Sequence, residues 1–145
     1  MKKRLLTAVA AGMLIAGCAT GPDQVKPAPL LETYWYAVEL EGRPAKAESV
    51  KRELHLILSA ERNSVSGFSG CNTFRGIYER NDNELRFMGL ATTLMACPPD
   101  AGELEKRFLS AAQASDTQRI SGNVLELRDV NGKTRARFEA RSAPR

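Results

Sequence analysis

What most limits the folds open to this chain is a succession of short runs in which apolar and polar residues alternate with a period of two. Successive side chains of a strand point to opposite faces, so each such run has one face to bury and one to leave in water. YWYAVEL (34–40) reads as a first strand ending at the Glu41-Gly42 turn. ELHLILS (53–59) puts Leu54, Leu56 and Leu58 on one face and His55 and Ile57 on the other. SVSGF (64–68) leads into SGCNTFRGIY (69–78), where Phe74, Gly76 and Tyr78 point one way and Arg75 and Ile77 the other. A polar NDN turn joins that strand to ELRFM (84–88), which predicts a hairpin. TQRIS, VLELR and TRARFEA close the series. The last two are joined through Asn131-Gly132, a dipeptide that accepts the positive φ angles of a tight turn.

One segment departs from this period. Leu104, Phe108, Ala111 and Ala112 recur at helical spacing, and Asp100 followed by Glu103 predicts an N-cap with its reciprocal acidic partner. The expected fold class is therefore α+β, mainly β: a curved, mostly antiparallel sheet or small open barrel packed by one helix. The chain has 145 residues and 26% of them are charged, which suits one globular domain. There is no internal repeat.

The amino end belongs to something other than the domain. MKKRLLTAVAAGMLIAGC opens with Lys2, Lys3 and Arg4 and closes on small residues, the layout of an export signal. Its apolar run of about 12 residues falls short of the roughly 20 that a membrane-spanning helix needs. Ile15-Ala16-Gly17-Cys18 resembles the lipobox of bacterial lipoproteins. That resemblance implies removal of residues 1–17 and acylation of Cys18, which would anchor the chain to a membrane. Residues 18–30, with Pro22, Pro27 and Pro29, read as an extended tether. The folded unit is expected over residues 31–140, with a basic tail at 141–145. Arg135, Arg137, Arg141 and Arg145 read as a solvated strand face and tail.

The formal net charge is +4, but losing Lys2, Lys3 and Arg4 brings the 21 basic residues close to the 17 acidic ones. A nearly neutral exported domain does not suit nucleic acid as a partner. With Cys18 acylated, Cys71 and Cys97 remain, and an even pair in an oxidising compartment favours a disulfide. A reactive Cys71 would need a lowered pKa, for which only Arg75 lies nearby in sequence. Gly70 and Asn72 suit a bend at the entry to the strand.

SGCNTFRGIY, followed by LATTLMAC and by Glu105 and Phe108 in a helix, resembles the signature of the META (HslJ-like) domain family. Trp35 and VELEGRP also match its opening strand. The resemblance covers about residues 34–138. It implies a small β-rich domain with a packed helix, usually exported and often lipid-anchored, with links to envelope stress. It implies no reaction and no cofactor. The matching positions Gly70, Cys71, Asn72, Phe74, Gly76, Tyr78, Thr93 and Cys97 take structural roles under it.

Chemistry finds little support elsewhere. His55 is the only histidine and reads as a satisfied or solvent-facing imidazole rather than a general base. Ser69 lies among glycines but lacks a nucleophile elbow, and no histidine follows it. His55, Cys71 and Cys97 lack paired metal-ligand spacing. The expectation is a non-catalytic lipoprotein, lipid-anchored in the cell envelope and sorted to the outer membrane facing the periplasm. Its partners would be the membrane, through Cys18, and an envelope protein. The alternative is a carrier or sensor of a small apolar ligand, lined by Met88, Leu90, Leu94 and Met95. An enzyme of unassigned reaction stands third.

Overall fold

The computed structural model describes residues 26–143. The signal segment, Cys18 and Pro22 lie outside the described residues, as does Arg145. The elements in chain order are β1 (Tyr34–Leu40), β2 (Arg43–Pro44), β3 (His55–Ser59), β4 (Ser64–Phe68), β5 (Thr73–Asn81), β6 (Glu84–Thr92), α1 (Pro99–Gln113), β7 (Thr117–Ser121), β8 (Val124–Arg128) and β9 (Thr134–Arg141). They form one nine-stranded sheet in the order β2-β1-β3-β4-β5-β6-β7-β8-β9, and a further pairing of β1 with β9 closes it into a ring. Every pairing is antiparallel. The mainly β, curved antiparallel architecture with one helix is the fold class expected from the alternation.

The inward faces of these runs make the core. Leu54, Leu56 and Leu58 are buried while His55 and Ile57 stay half-exposed, as period-two alternation requires. Trp35, Phe74, Tyr78, Phe108 and Phe138 are the bulkiest fully buried side chains. Burying each contributes on the order of 2–3 kcal/mol. Phe108 of α1 lies between the two walls of the ring, with ring centroids 5.2 Å from Phe74 of β5 and 6.0 Å from Phe138 of β9. The helix therefore fills the interior from one side and packs on β6, β9 and β1. It lies where the ring is weakest: β6 meets β7 through a single residue pair, Glu84 with Thr117.

Four boundaries differ from the sequence reading, each for a local reason. The helix begins at Pro99 with Pro98 as N-cap, so Asp100 falls inside the first turn. Proline is pre-set for the first helical position, where it has no N–H to leave unpaired. Asp100 is used differently: its carboxylate accepts hydrogen bonds from Ser49 N at 3.0 Å and Ser49 Oγ at 2.6 Å, tying the 45–53 loop to the helix start. The Asn131-Gly132 connection is wider than a two-residue turn. Residues 129–133 form a loop in which the Asp129 carboxylate accepts from the N–H groups of Asn131 and Lys133, both at 3.0 Å.

Arg141 belongs to β9 rather than to a tail. It pairs with Tyr34, its guanidinium lies 3.7 Å above the Tyr36 ring, and it reaches Glu53 at 3.2 Å. At the other end, the last residues assigned to the tether are part of the domain. Ala28 N donates to Gly122 O at 2.8 Å, and Trp35 Nε1 donates to Leu30 O at 2.9 Å. A buried indole N–H needs an acceptor, and the chain ahead of β1 supplies it.

Candidate functional site

The residues singled out in SGCNTFRGIY converge on the first turns of α1. Gly70 has φ +127°, and a Cβ there would approach Glu105 N to 3.3 Å and Leu104 Cγ to 3.4 Å. Glycine lets the chain turn sharply and pass directly against the helix. Immediately beyond it, Cys71 and Cys97 form a disulfide across 26 positions, with their Cα atoms 5.9 Å apart. Asn72, 4% exposed, occupies the centre of the junction.

Its hydrogen bonds account for the cluster. Glu105 Oε2 accepts from Ser69 Oγ at 2.7 Å and Asn72 N at 2.8 Å, while Oε1 accepts from Asn72 Nδ2 at 2.9 Å. On its other side, Asn72 Oδ1 accepts from Thr93 Oγ1 and from Met95 N, both at 2.9 Å. A carboxylate on one side and two donors on the other leave one consistent orientation for the amide. Burial pushes the Glu105 carboxyl up, but the hydrogen bonds from Ser69, Asn72 and the Cys71 and Asn72 backbone outweigh it, so its pKa lies below the ordinary value. The junction thus holds an ionised carboxylate whose acceptors are taken up inside the protein.

The other motif positions serve packing. Phe74 and Tyr78 are buried, and Tyr78 donates its hydroxyl to Ser59 O at 3.0 Å. Gly76 faces Leu90: a Cβ would come within 2.7 Å of Leu90 Cδ2 and 2.9 Å of Met88 O. Thr93 joins the Asn72 cluster. Sequence reasoning left Glu105 out of the site residues, although it stands at the centre of this network. The available signal was its place within the helix's apolar stripe, four residues after Ala101 and three before Phe108.

Neither candidate for catalysis is free. Ser69 Oγ is engaged with Glu105 and with Asn72 O at 2.9 Å. The His55 ring stacks on Tyr34 at 4.4 Å, with Nδ1 3.1 Å from Glu53 O. Loss of solvation lowers the imidazole pKa and outweighs the hydrogen bond to Glu53 that raises it. The four apolar residues proposed to line a cavity lie toward the outside: Leu94 is 97% and Met95 63% exposed, Met88 is exposed and Leu90 half-buried.

A second feature lies on the outer face of β3, β4 and β5. Ser64 and Ser66 are small, so β4 forms the floor of an open trough of about 670 Å³ between His55 on one wall and Arg75 and Ile77 on the other. Arg52 and Arg62 also line it.

The META domain family model matches residues 28–142, which include the disulfide, the Asn72 cluster and the whole ring. This chain belongs to the META domain family. An NMR structure of a protein from Burkholderia xenovorans is similar at 27% identity and TM-score 0.65, covering 92% of this chain and all of that one. A second NMR structure, at 24% identity and TM-score 0.56, covers 74% of this chain and 87% of its own. A crystal structure of a DUF4847 family protein from Bacteroides vulgatus shares the fold at 14% identity and TM-score 0.57, covering 79% of this chain and 96% of that one. Comparison with curated proteins found no match. The META match starts at residue 28, where the chain first hydrogen-bonds to the β7–β8 turn.

Proposed function

We propose that this META domain protein is a lipoprotein of the cell envelope, anchored through acylated Cys18, and that its domain acts by binding or stabilising envelope components rather than by catalysis. The observation that carries the reading is the division of the cysteines. Cys71 and Cys97 are joined to each other, which suits an oxidising compartment, while Cys18 remains at the foot of a short apolar run. Sorting to the outer membrane, facing the periplasm, follows from Ala19 rather than an aspartate after Cys18. The absence of catalysis is inferred from the engaged motif: Ser69, Asn72, Thr93 and Glu105 hydrogen-bond to one another and hold a loop in place.

The apolar-carrier alternative has less behind it, because Trp35, Phe74 and Phe108 fill the interior and Leu94 and Met95 point outward. Metabolic labelling with a radioactive fatty acid in a Gram-negative host, followed by membrane fractionation, tests the proposal. Label in the wild type, none in Cys18→Ser, and recovery with outer membranes are expected. An unacylated chain that retains residues 1–17 would overturn it.

A further inference from the structure

The trough along β4 has the donor set of an anion site. Three guanidinium groups line it, from Arg52, Arg62 and Arg75, against one carboxylate, Glu61, which is itself paired with Arg62 at 3.2 Å. Arg52 lies 4.5 Å above the Phe68 ring, an arrangement that holds its side chain extended over an apolar surface and leaves its N–H groups to face outward. Among the described residues, neither Arg52 nor Arg75 forms a salt bridge. Arg135, Arg137 and Arg141 on β9 are all ion-paired. The small Ser64 and Ser66 keep the floor low, and Ser66 and Thr73 add exposed hydroxyls beside the arginines. The volume of about 670 Å³ falls within the usual range for small-ligand sites.

We infer that this trough binds a ligand carrying phosphate groups. Each guanidinium presents five N–H donors in a planar fork that matches phosphate oxygens two at a time. Three such forks offer more donors than one carboxylate can accept. Strand β4 spans roughly 14 Å between its Arg62 and Arg52 ends at about 3.4 Å per residue, so the trough suits either a polyphosphate or a phosphate-bearing headgroup lying along the strand. Ile77 on one wall gives an apolar neighbour for the non-ionic part of such a headgroup. The inference deepens the binding-module reading above by assigning it a surface and a ligand chemistry.

Titration calorimetry on the full chain as its host produces it, in non-ionic detergent, tests it with three probes. Tripolyphosphate represents a soluble source, dihexanoyl phosphatidylglycerol below its micelle concentration a lipid source, and a tetra-aspartate peptide a phosphate-free anion. The expected result is saturable binding of at least one phosphate probe, weakened about tenfold or more in Arg52→Gln/Arg75→Gln. The exposed Arg43→Gln on β2 should leave the affinity unchanged. The unfolding midpoint of each variant, expected to match the wild type because these side chains are exposed, separates lost binding from lost fold. Whichever phosphate probe binds identifies the source. Tetra-aspartate binding as tightly as the phosphate probes, or affinity unchanged in the double variant, would overturn the assignment. So would absence of saturable binding. Fatty-acid labelling of Cys18 is independent of all these outcomes, so the trough can fail while the anchoring stands.

Discussion

Asn72 shows how much a single side chain can be asked to do. Its amide bridges a carboxylate on α1 and two donors on the 93–95 segment, in a position almost closed to water. Asn72→Ala strands Met95 N, Thr93 and Glu105 together, and buried groups left without partners cost on the order of 1–3 kcal/mol each. A loss of about 3 kcal/mol, read from urea unfolding, is expected. Asn72→Asp should be worse than alanine near neutral pH, because it places a second carboxylate against Glu105, and should recover on acidification. Glu105 also gives the fold a defined pH dependence. Its pKa is lower folded than unfolded, so its contribution is fully present above the unfolded value and is lost as pH falls through the folded one. Asp100, lowered first by its hydrogen bond from Ser49, and Glu126, lowered first by its hydrogen bond from Arg128, act with the same sign. Stability measured against pH should therefore fall on the acid side of the usual glutamate range. Glu105→Gln should start less stable at neutral pH and lose less on acidification.

Among the elements, the joint between β5 and α1 matters most. The disulfide, the Gly70 turn and the Glu105 hydrogen bonds all tie the start of β5 to the helix. Loop-closure entropy for a 26-position crosslink amounts to about 3–4 kcal/mol of stabilisation. Cys71→Ala/Cys97→Ala should lose about that much in a urea titration. Adding reductant to the wild type should produce the same loss, and adding it to the double variant should change nothing. Retention of the helix signal in the far ultraviolet would then show that Phe108, held between Phe74 and Phe138, still docks α1 without the crosslink.

At the scale of the molecule, the ring is unevenly closed. β1 and β9 share an extended register from Tyr34–Arg141 to Leu40–Ala136, whereas β6 and β7 meet only at Glu84 and Thr117. Gln118 N reaches across that seam to Asn83 O at 2.7 Å. By strand alternation the Ile120 N–H points to the same side, beyond the reach of β6, while the Arg119 N–H faces β8. Native-state hydrogen exchange should therefore find Ile120 exchanging much faster than Arg119. Equal protection of the two amides would mean that the seam is closed by pairing rather than by the helix. An open seam plugged by a helix also explains why the interior is packed although the sheet is incompletely hydrogen-bonded there.

Alternation by itself determined the strands, the inward faces and the single helix, because burial of every second side chain is a local demand that a strand of five residues already expresses. The prolines before α1 and the even cysteine pair were legible for the same reason: their constraints act on their own backbone or follow from counting. What only the tertiary structure decided were the partners. Glu105 lies 33 positions from Asn72, and no local pattern says that a carboxylate on the helix will meet that amide. The trough on β4 is likewise a property of three strands at once, since two serines make a floor only when arginines from other segments rise beside them. The wide Asp129 loop and the docking of Ala28 and Leu30 were missed on the same ground. Hydrogen bonds between distant segments are chosen by the closed ring, after the local preferences have been met.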